Sequence, residues 1–373
     1  MKITRIEAFH VELPYAGGSY HWGRGNVIRT ALTTVITVHT DEGFTGCGES
    51  CPIGGNYLAA FAEGIVPALS LLAPAVIGED PREVHAIERR MDAVLRGHPY
   101  AKSAIDAACW DILGQSCGQP VCVLLGGRLT IGGSMYRVVP QKDPHAAAQE
   151  MEVHRSAGYR QFQIKVGNDW KADIDRIINA TSLLEPGETA FADANRGWSL
   201  NEALAVVHAV RDTGVMIEQP CDSYDECLHV RRRTDLPMKL DECVTDLKMA
   251  QRVVVDQSAE VVCLKISNLG GLTKARRIRD YLVEHGLSVV CEDTWGGEIT
   301  TAAVAHFAAS TPASLLYNTT DLHNYNTVST GQPPPVVRNG KLYAGTEPGL
   351  GVKPDTQVLG EPLAIYTESS NED

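Results

Sequence analysis

Three acids end three consecutive apolar runs: Asp193 in Ala192-Asp193-Ala194-Asn195, Glu218 in Ile217-Glu218-Gln219-Pro220, and Asp241 in Leu240-Asp241-Glu242. Taken singly, each could cap a helix or pair with a base. Brought to one point they repel one another, and without a cation at least one takes up a proton. A hard divalent ion resolves the conflict. An all-oxygen set suits Mg2+, which keeps open positions for water and substrate. Two lysines bracket the acids, Lys165 and Lys265, each also closing an apolar run. A lysine near a divalent ion and a second cation has its pKa lowered and can serve as a base. The plainer reading makes each lysine a salt-bridge partner of the acids.

Elements must bring these side chains together, and the spacing shows which. Eight short apolar runs alternate with amphipathic helical stretches: 135–139, 161–166, 189–194, 215–219, 238–241, 261–266, 287–292 and 314–318. The polar residues closing the second to eighth are Lys165, Asp193, Glu218, Asp241, Lys265, Asp293 and Asn318, at intervals of 28, 25, 23, 24, 28 and 25 residues. A near-constant strand-plus-helix period repeated eight times predicts a (β/α)8 barrel, whose reactive groups lie at the C-terminal ends of the strands. In such a ring strands two and six are opposed, so Lys165 and Lys265 should face each other. Ahead of the barrel, Ile3–Leu13 and Thr30–His39 are β-rich and joined by a Gly- and aromatic-rich connector, and from Tyr57 to about Gly118 the pattern is helical. The expected fold is therefore α/β: an α+β capping domain over residues 1–125, completed by about 341–373, and a TIM-type barrel over 126–340.

The chain has 373 residues and a net charge of −13, from 33 basic and 46 acidic side chains. That balance repels nucleic acid and anionic membrane. No run of about 18 apolar residues is present, which excludes a transmembrane helix. The first residues alternate like a strand and lack a signal-peptide layout. None of the ten cysteines forms a Cys-x-x-Cys pair; they read as reduced, buried thiols of a cytoplasmic protein. The motifs of serine hydrolases, P-loop and dinucleotide-binding proteins and zincins are all missing.

The ordered set Gln163-Ile164-Lys165, Asp193-Ala194-Asn195, Glu218-Gln219-Pro220, Asp241-Glu242, Lys265 to Gly271 and Glu292 to Gly297 resembles the enolase superfamily, in its mandelate racemase and muconate lactonizing enzyme branch. The match runs over essentially the whole chain, including the Ala101–Asp111 stretch. The resemblance implies Mg2+ on Asp193, Glu218 and Asp241, with Asn195 and Glu242 just behind these ligands. It also implies removal of the proton α to a carboxylate by Lys165 or Lys265, giving an enediolate stabilised by the metal. Related barrels associate, which implies a homo-oligomer. One departure is Gln163, where many relatives carry a lysine that depresses the pKa of the next. Single-lysine relatives include cis-3-hydroxy-L-proline dehydratases and hydroxyproline-betaine 2-epimerases, and the strings around Lys165, Lys265 and Asn326 look most like the dehydratase side. The expected partner is a small-molecule carboxylate. In the cap loops Tyr20, Trp22 and Tyr57, and after the seventh strand Trp295, offer aromatic faces that suit a ring carrying a positive nitrogen. Dehydration of cis-3-hydroxy-L-proline or a related proline derivative is expected, with 2-epimerisation or racemisation as the alternative. A sugar-acid dehydratase would place a histidine late in the barrel, and a simple binding protein would not need both lysines.

Overall fold

A computed structural model of the protein describes residues 1–139 and 144–368. Eight parallel strands lie in chain order around one sheet: Tyr136–Val139, Gln161–Lys165, Thr189–Asp193, Met216–Glu218, Met238–Leu240, Val261–Lys265, Ser288–Glu292 and Leu316–Thr319. A parallel bridge from Met135 to Thr319 joins the last strand to the first and closes the ring. Helices connect the strands as in a (β/α)8 barrel. Several start where local chemistry starts them. Ser199 and Glu202, and Ser223 and Glu226, form capping boxes, and Asp169 and Asp246 accept from their own first turns.

Every barrel strand obeys a period of two. Phe162, Ile164, Ala192, Ile217, Leu240, Val262, Leu264 and Val289 point outward into the main core beneath the helices. Tyr136, Phe191, Met216, Val261, Cys263 and Val290 point inward and fill the barrel as a separate cluster. The next inward position up each strand lies at the mouth. Register keeps these positions level: Lys165 pairs with Asp193, Asp193 with Glu218, and Lys265 with Glu292.

The N-terminal part is an antiparallel sheet with helices on it. Ile3–Pro14 runs antiparallel to Thr30–Thr40, which pairs with Thr45–Ser50. The connector between the first two carries its own small ribbon, Tyr20–Trp22 against Asn26–Ile28. Near the C-terminus Ala364–Thr367 adds to the outer side of Ile3–Pro14; residues 369–373 of the stretch expected to complete the cap lie outside the described residues, as do 140–143 of the expected barrel. The long helix Pro99–Cys117 sits directly on Thr45–Ser50, where a Cβ at Gly46 or Gly48 would run into the carbonyls of Ala108 and Ala104.

Two carboxylates tie this part to the barrel. Helices Glu298–Ala309 and Leu272–Glu284 both begin after a glycine with no side chain to cap them. Glu49 supplies one missing acceptor, taking bonds from Gly297 N at 2.8 Å and Thr300 N at 2.9 Å. Asp106 supplies the other, accepting from Thr273 N at 3.0 Å. An anion at a helix N-terminus also meets the positive end of the helix dipole. Nine of the ten cysteines are buried or partly so, and Cys117 alone is exposed; all are unpaired. Among the described residues no helix is long and apolar enough to cross a membrane.

Candidate active site

The inward residues at the strand ends line one cavity between barrel mouth and cap. Lys165, Asp193, Asn195, Glu218, Asp241 and Lys265 line it from below, and Tyr20, Trp22, Tyr57 and Trp295 line it from above and the side. Glu242 sits behind, buried, accepting from Asn195 Nδ2 at 3.1 Å. The residues singled out in the sequence are thus brought together, ten on the wall and Glu242 in support.

The polar groups form two sets, one around each lysine. Lys165 Nζ lies 2.6 Å from Asp193 Oδ2 and 3.0 Å from Asn195 Oδ1. Gln163 Nε2 reaches Asp193 Oδ2 at 2.9 Å and Glu218 Oε2 at 3.4 Å, so it donates to two acids at once. Lys265 Nζ is hydrogen-bonded to Asp241 and lies 3.0 Å from Glu292 Oε1. Tyr57 Oη approaches Asp241 Oδ2 at 3.5 Å. Each lysine also lies near an aromatic ring from the cap, Lys165 by Tyr20 at 5.7 Å and Lys265 by Tyr57 at 5.6 Å. Cap and barrel meet here through backbone as well: Arg24 N donates to Gly167 O, and its guanidinium to Arg196 O.

Burial and crowding set the charges. Burial, then the charge of Asp193, pushes Glu218 up to about 8. Burial, then Asp241, pushes Glu242 up to about 7. This is how converging carboxylates behave when their neighbours are also acids. Glu292 goes the other way: burial alone would raise it, but Lys265 and Lys239 pull it down to about 2. Burial is the largest influence and opposes the charge on Lys165 and Lys265, yet Asp193 with Tyr20 and Glu218, and Asp241 with Tyr57 and Glu292, together outweigh it and hold both ammonium groups above the ordinary lysine range. The lowered lysine pKa expected from the sequence belongs to a site that holds a divalent ion; here the lysines are the counter-ions of the acids. Three buried acids at one barrel mouth, Asp193, Glu218 and Asp241, with oxygen donors only, fit a hard divalent cation. A tighter group, Asp241, Cys263 and Glu292, has its ligand atoms within 4.8 Å of one another. Lys265 already bridges its two acids, and the Cys263 thiol donates to Glu292 at 2.8 Å.

Several members of the site escaped the sequence reading. On the seventh strand Glu292, rather than Asp293, joins the acid cluster, while Asp293 turns aside to Ser267. Tyr136 donates its hydroxyl to Glu292 at 3.1 Å. Tyr325 lies tilted beside Trp295, at 5.6 Å between ring centres. Lys239, wholly buried two residues before Asp241, lies 2.8 Å from Glu218. Counting two back from each strand end would have found Lys239 and Cys263.

Fold and site together define a capped-barrel enzyme. Residues 145–358 match the family model described as enolase C-terminal domain-like, and residues 13–126 match that of the mandelate racemase/muconate lactonizing enzyme N-terminal domain. The chain belongs to the mandelate racemase/muconate lactonizing enzyme family of the enolase superfamily. It is 45% identical over 367 residues to a cis-3-hydroxy-L-proline dehydratase of Roseibium aggregatum, covering 98% of this chain and 100% of that protein. A solved mandelate racemase/muconate lactonizing enzyme from Roseovarius nubinhibens ISM superposes with a TM-score of 0.96 at 56% identity, over 98% of both chains. A second structure from the same organism, complexed with magnesium, gives 0.92 at 34% identity, over 98% of this chain and 100% of that one.

Proposed function

We propose that this chain is a magnesium-dependent lyase that dehydrates cis-3-hydroxy-L-proline or a close proline derivative. The observation that carries this reading is the pair Lys165 and Lys265, on strands two and six of the ring and lining one cavity with aromatic rings. In the cis isomer the carboxylate and hydroxyl share a ring face, so the α-hydrogen lies on the face opposite the hydroxyl. A base on one side and an acid on the other match that arrangement.

When bound at Asp193, Glu218 and Asp241, a magnesium ion would supply Lewis acidity to the substrate carboxylate and relieve the lysines of the acids they pair with here. One lysine Nζ takes the α-proton. The C–H electron pair passes first into the substrate's own carboxylate, and then forms the Cα–Cβ double bond as the Cβ–O bond breaks. The other lysine gives its proton to the departing hydroxyl, which leaves as water, and the enamine tautomerises to an imine. Asn195 fixes the Lys165 head, and the cap rings exclude solvent. A cationic ring nitrogen against Trp295 gains on the order of 0.5–2 kcal/mol. The unpaired, mostly buried cysteines support a reducing, cytoplasmic setting.

Incubation of prolines, hydroxyprolines and their betaines with enzyme and Mg2+ in D2O, followed by proton NMR, tests this. The cis-3-hydroxy isomer should lose water, and the trans isomer, with hydroxyl and α-hydrogen on one face, should not. The same opposed lysines also suit a 2-epimerase, one removing the proton and the other returning it to the far face. Deuterium at Cα with inversion and no loss of water would establish that second reading. Turnover of a sugar acid alone would sink both.

A further inference from the structure

Below the catalytic cavity the barrel interior is largely apolar, and an ammonium group is buried in it. Lys239 projects inward from the fifth strand among Tyr136, Phe191 and Cys263 and is fully buried. It does not line the cavity, so substrate cannot touch it. Its Nζ lies 2.8 Å from Glu218 Oε1 and 4.4 Å from the centre of the Phe191 ring, with the Tyr136 ring at 5.7 Å. No well-directed hydrogen bond satisfies this nitrogen. Its contact with Glu218 is therefore an ion pair braced by ring faces. Burying a lysine there is costly, and a methionine would fill the same apolar space. What the lysine adds is a fixed positive charge beside one of the three acids assigned to the metal.

We propose that Lys239 is a resident counter-cation that sets the strength of the metal site: its charge beside Glu218 lowers divalent-cation affinity and holds the acid cluster together when no ion is bound. This rests on the assignment of Asp193, Glu218 and Asp241 as metal ligands. Glu218 Oε1 faces Lys239, while Oε2 faces Gln163, so the carboxylate keeps a second anchor if Lys239 is lost. Removing Lys239 then changes mainly the field. A positive charge next to a ligand oxygen repels an arriving divalent cation, and burial weakens the screening that would hide it. Lys239 is a positioning residue in this account, acting on the ion through Glu218.

The test is Mn2+ binding by electron paramagnetic resonance, with melting temperatures measured in EDTA and in Mg2+. Two variants are used, Lys239→Met and Lys239→Gln, so that one remains if the other does not fold. Both should bind Mn2+ about tenfold or more tightly than the parent. Both should melt lower in EDTA and show a larger rise on adding Mg2+, because a ligand that binds more tightly stabilises more. Affinity that is unchanged or weaker in the variants, or a Mg2+-dependent rise no larger than the parent's, overturns the proposal while leaving the metal assignment intact. A parent protein that binds no Mn2+ overturns both.

Discussion

Lys165 and Lys265 each centre a set of acids at the barrel mouth, and the reaction proposed for them is asymmetric. One must take the α-proton and the other must protonate the leaving hydroxyl. Replacing either by alanine should lower turnover by about 100-fold or more, the scale of general acid–base catalysis. The two variants should differ in kind. One should lose α-deuterium exchange in D2O, and the other should still exchange but fail to release water. Normal exchange in both would remove the lysines from the mechanism. At this scale much of the site was legible because barrel chemistry gathers at strand ends, and Asp193, Glu218, Asp241, Lys165 and Lys265 each end an apolar run. Lys239 was not, because a lysine inside Met238-Lys239-Leu240 looks like an ordinary interruption until the strand's inward face is known. Glu292 was passed over for Asp293, its neighbour, because a one-residue slip at a strand end moves the side chain to the other face.

Among elements, the strand-helix period made the barrel plain, but nothing local announced how the cap would grip it. Glu49 and Asp106 show why. A helix that starts after glycine lacks its own capping side chain, and here the acceptor arrives from residues 248 and 167 positions away. No window of sequence reveals such a pairing. Glu49 is buried and also accepts from Thr33 and Thr330. Replacing it with alanine leaves several buried donors without partners, at about 1–3 kcal/mol each. Urea denaturation of Glu49→Ala should show a loss on the order of 3 kcal/mol or more. A loss below about 1 kcal/mol would mean that water replaces the carboxylate and that the grip is weak. The aromatic connector was read as a loop carrying binding side chains. It is instead a short ribbon whose Tyr20 stands 5.2 Å from Trp295, ring to ring; alternation too brief to register in the sequence accounts for the difference.

Across the whole molecule acids outnumber bases, and the mouth of the barrel keeps the same balance, with Asp193, Glu218, Asp241 and Glu292 against Lys165 and Lys265. Ala364–Thr367 lies beside Ile3–Pro14 in one sheet, so that sheet cannot be completed until the barrel between them has been made. The cysteines make this unity measurable. Cys47, Cys51, Cys109 and Cys122 are buried in the N-terminal part, and Cys221, Cys227, Cys263 and Cys291 in the barrel. A thiol reagent should modify exposed Cys117 at once and the two buried groups only as the structure opens. If the carboxylates hold cap and barrel as one cooperative body, peptide mapping will find both groups labelled with a single rate constant. A cap that peels away first would surrender its four thiols ahead of the barrel's, so the pattern of modified peptides becomes a clock that tells which part of the molecule lets go.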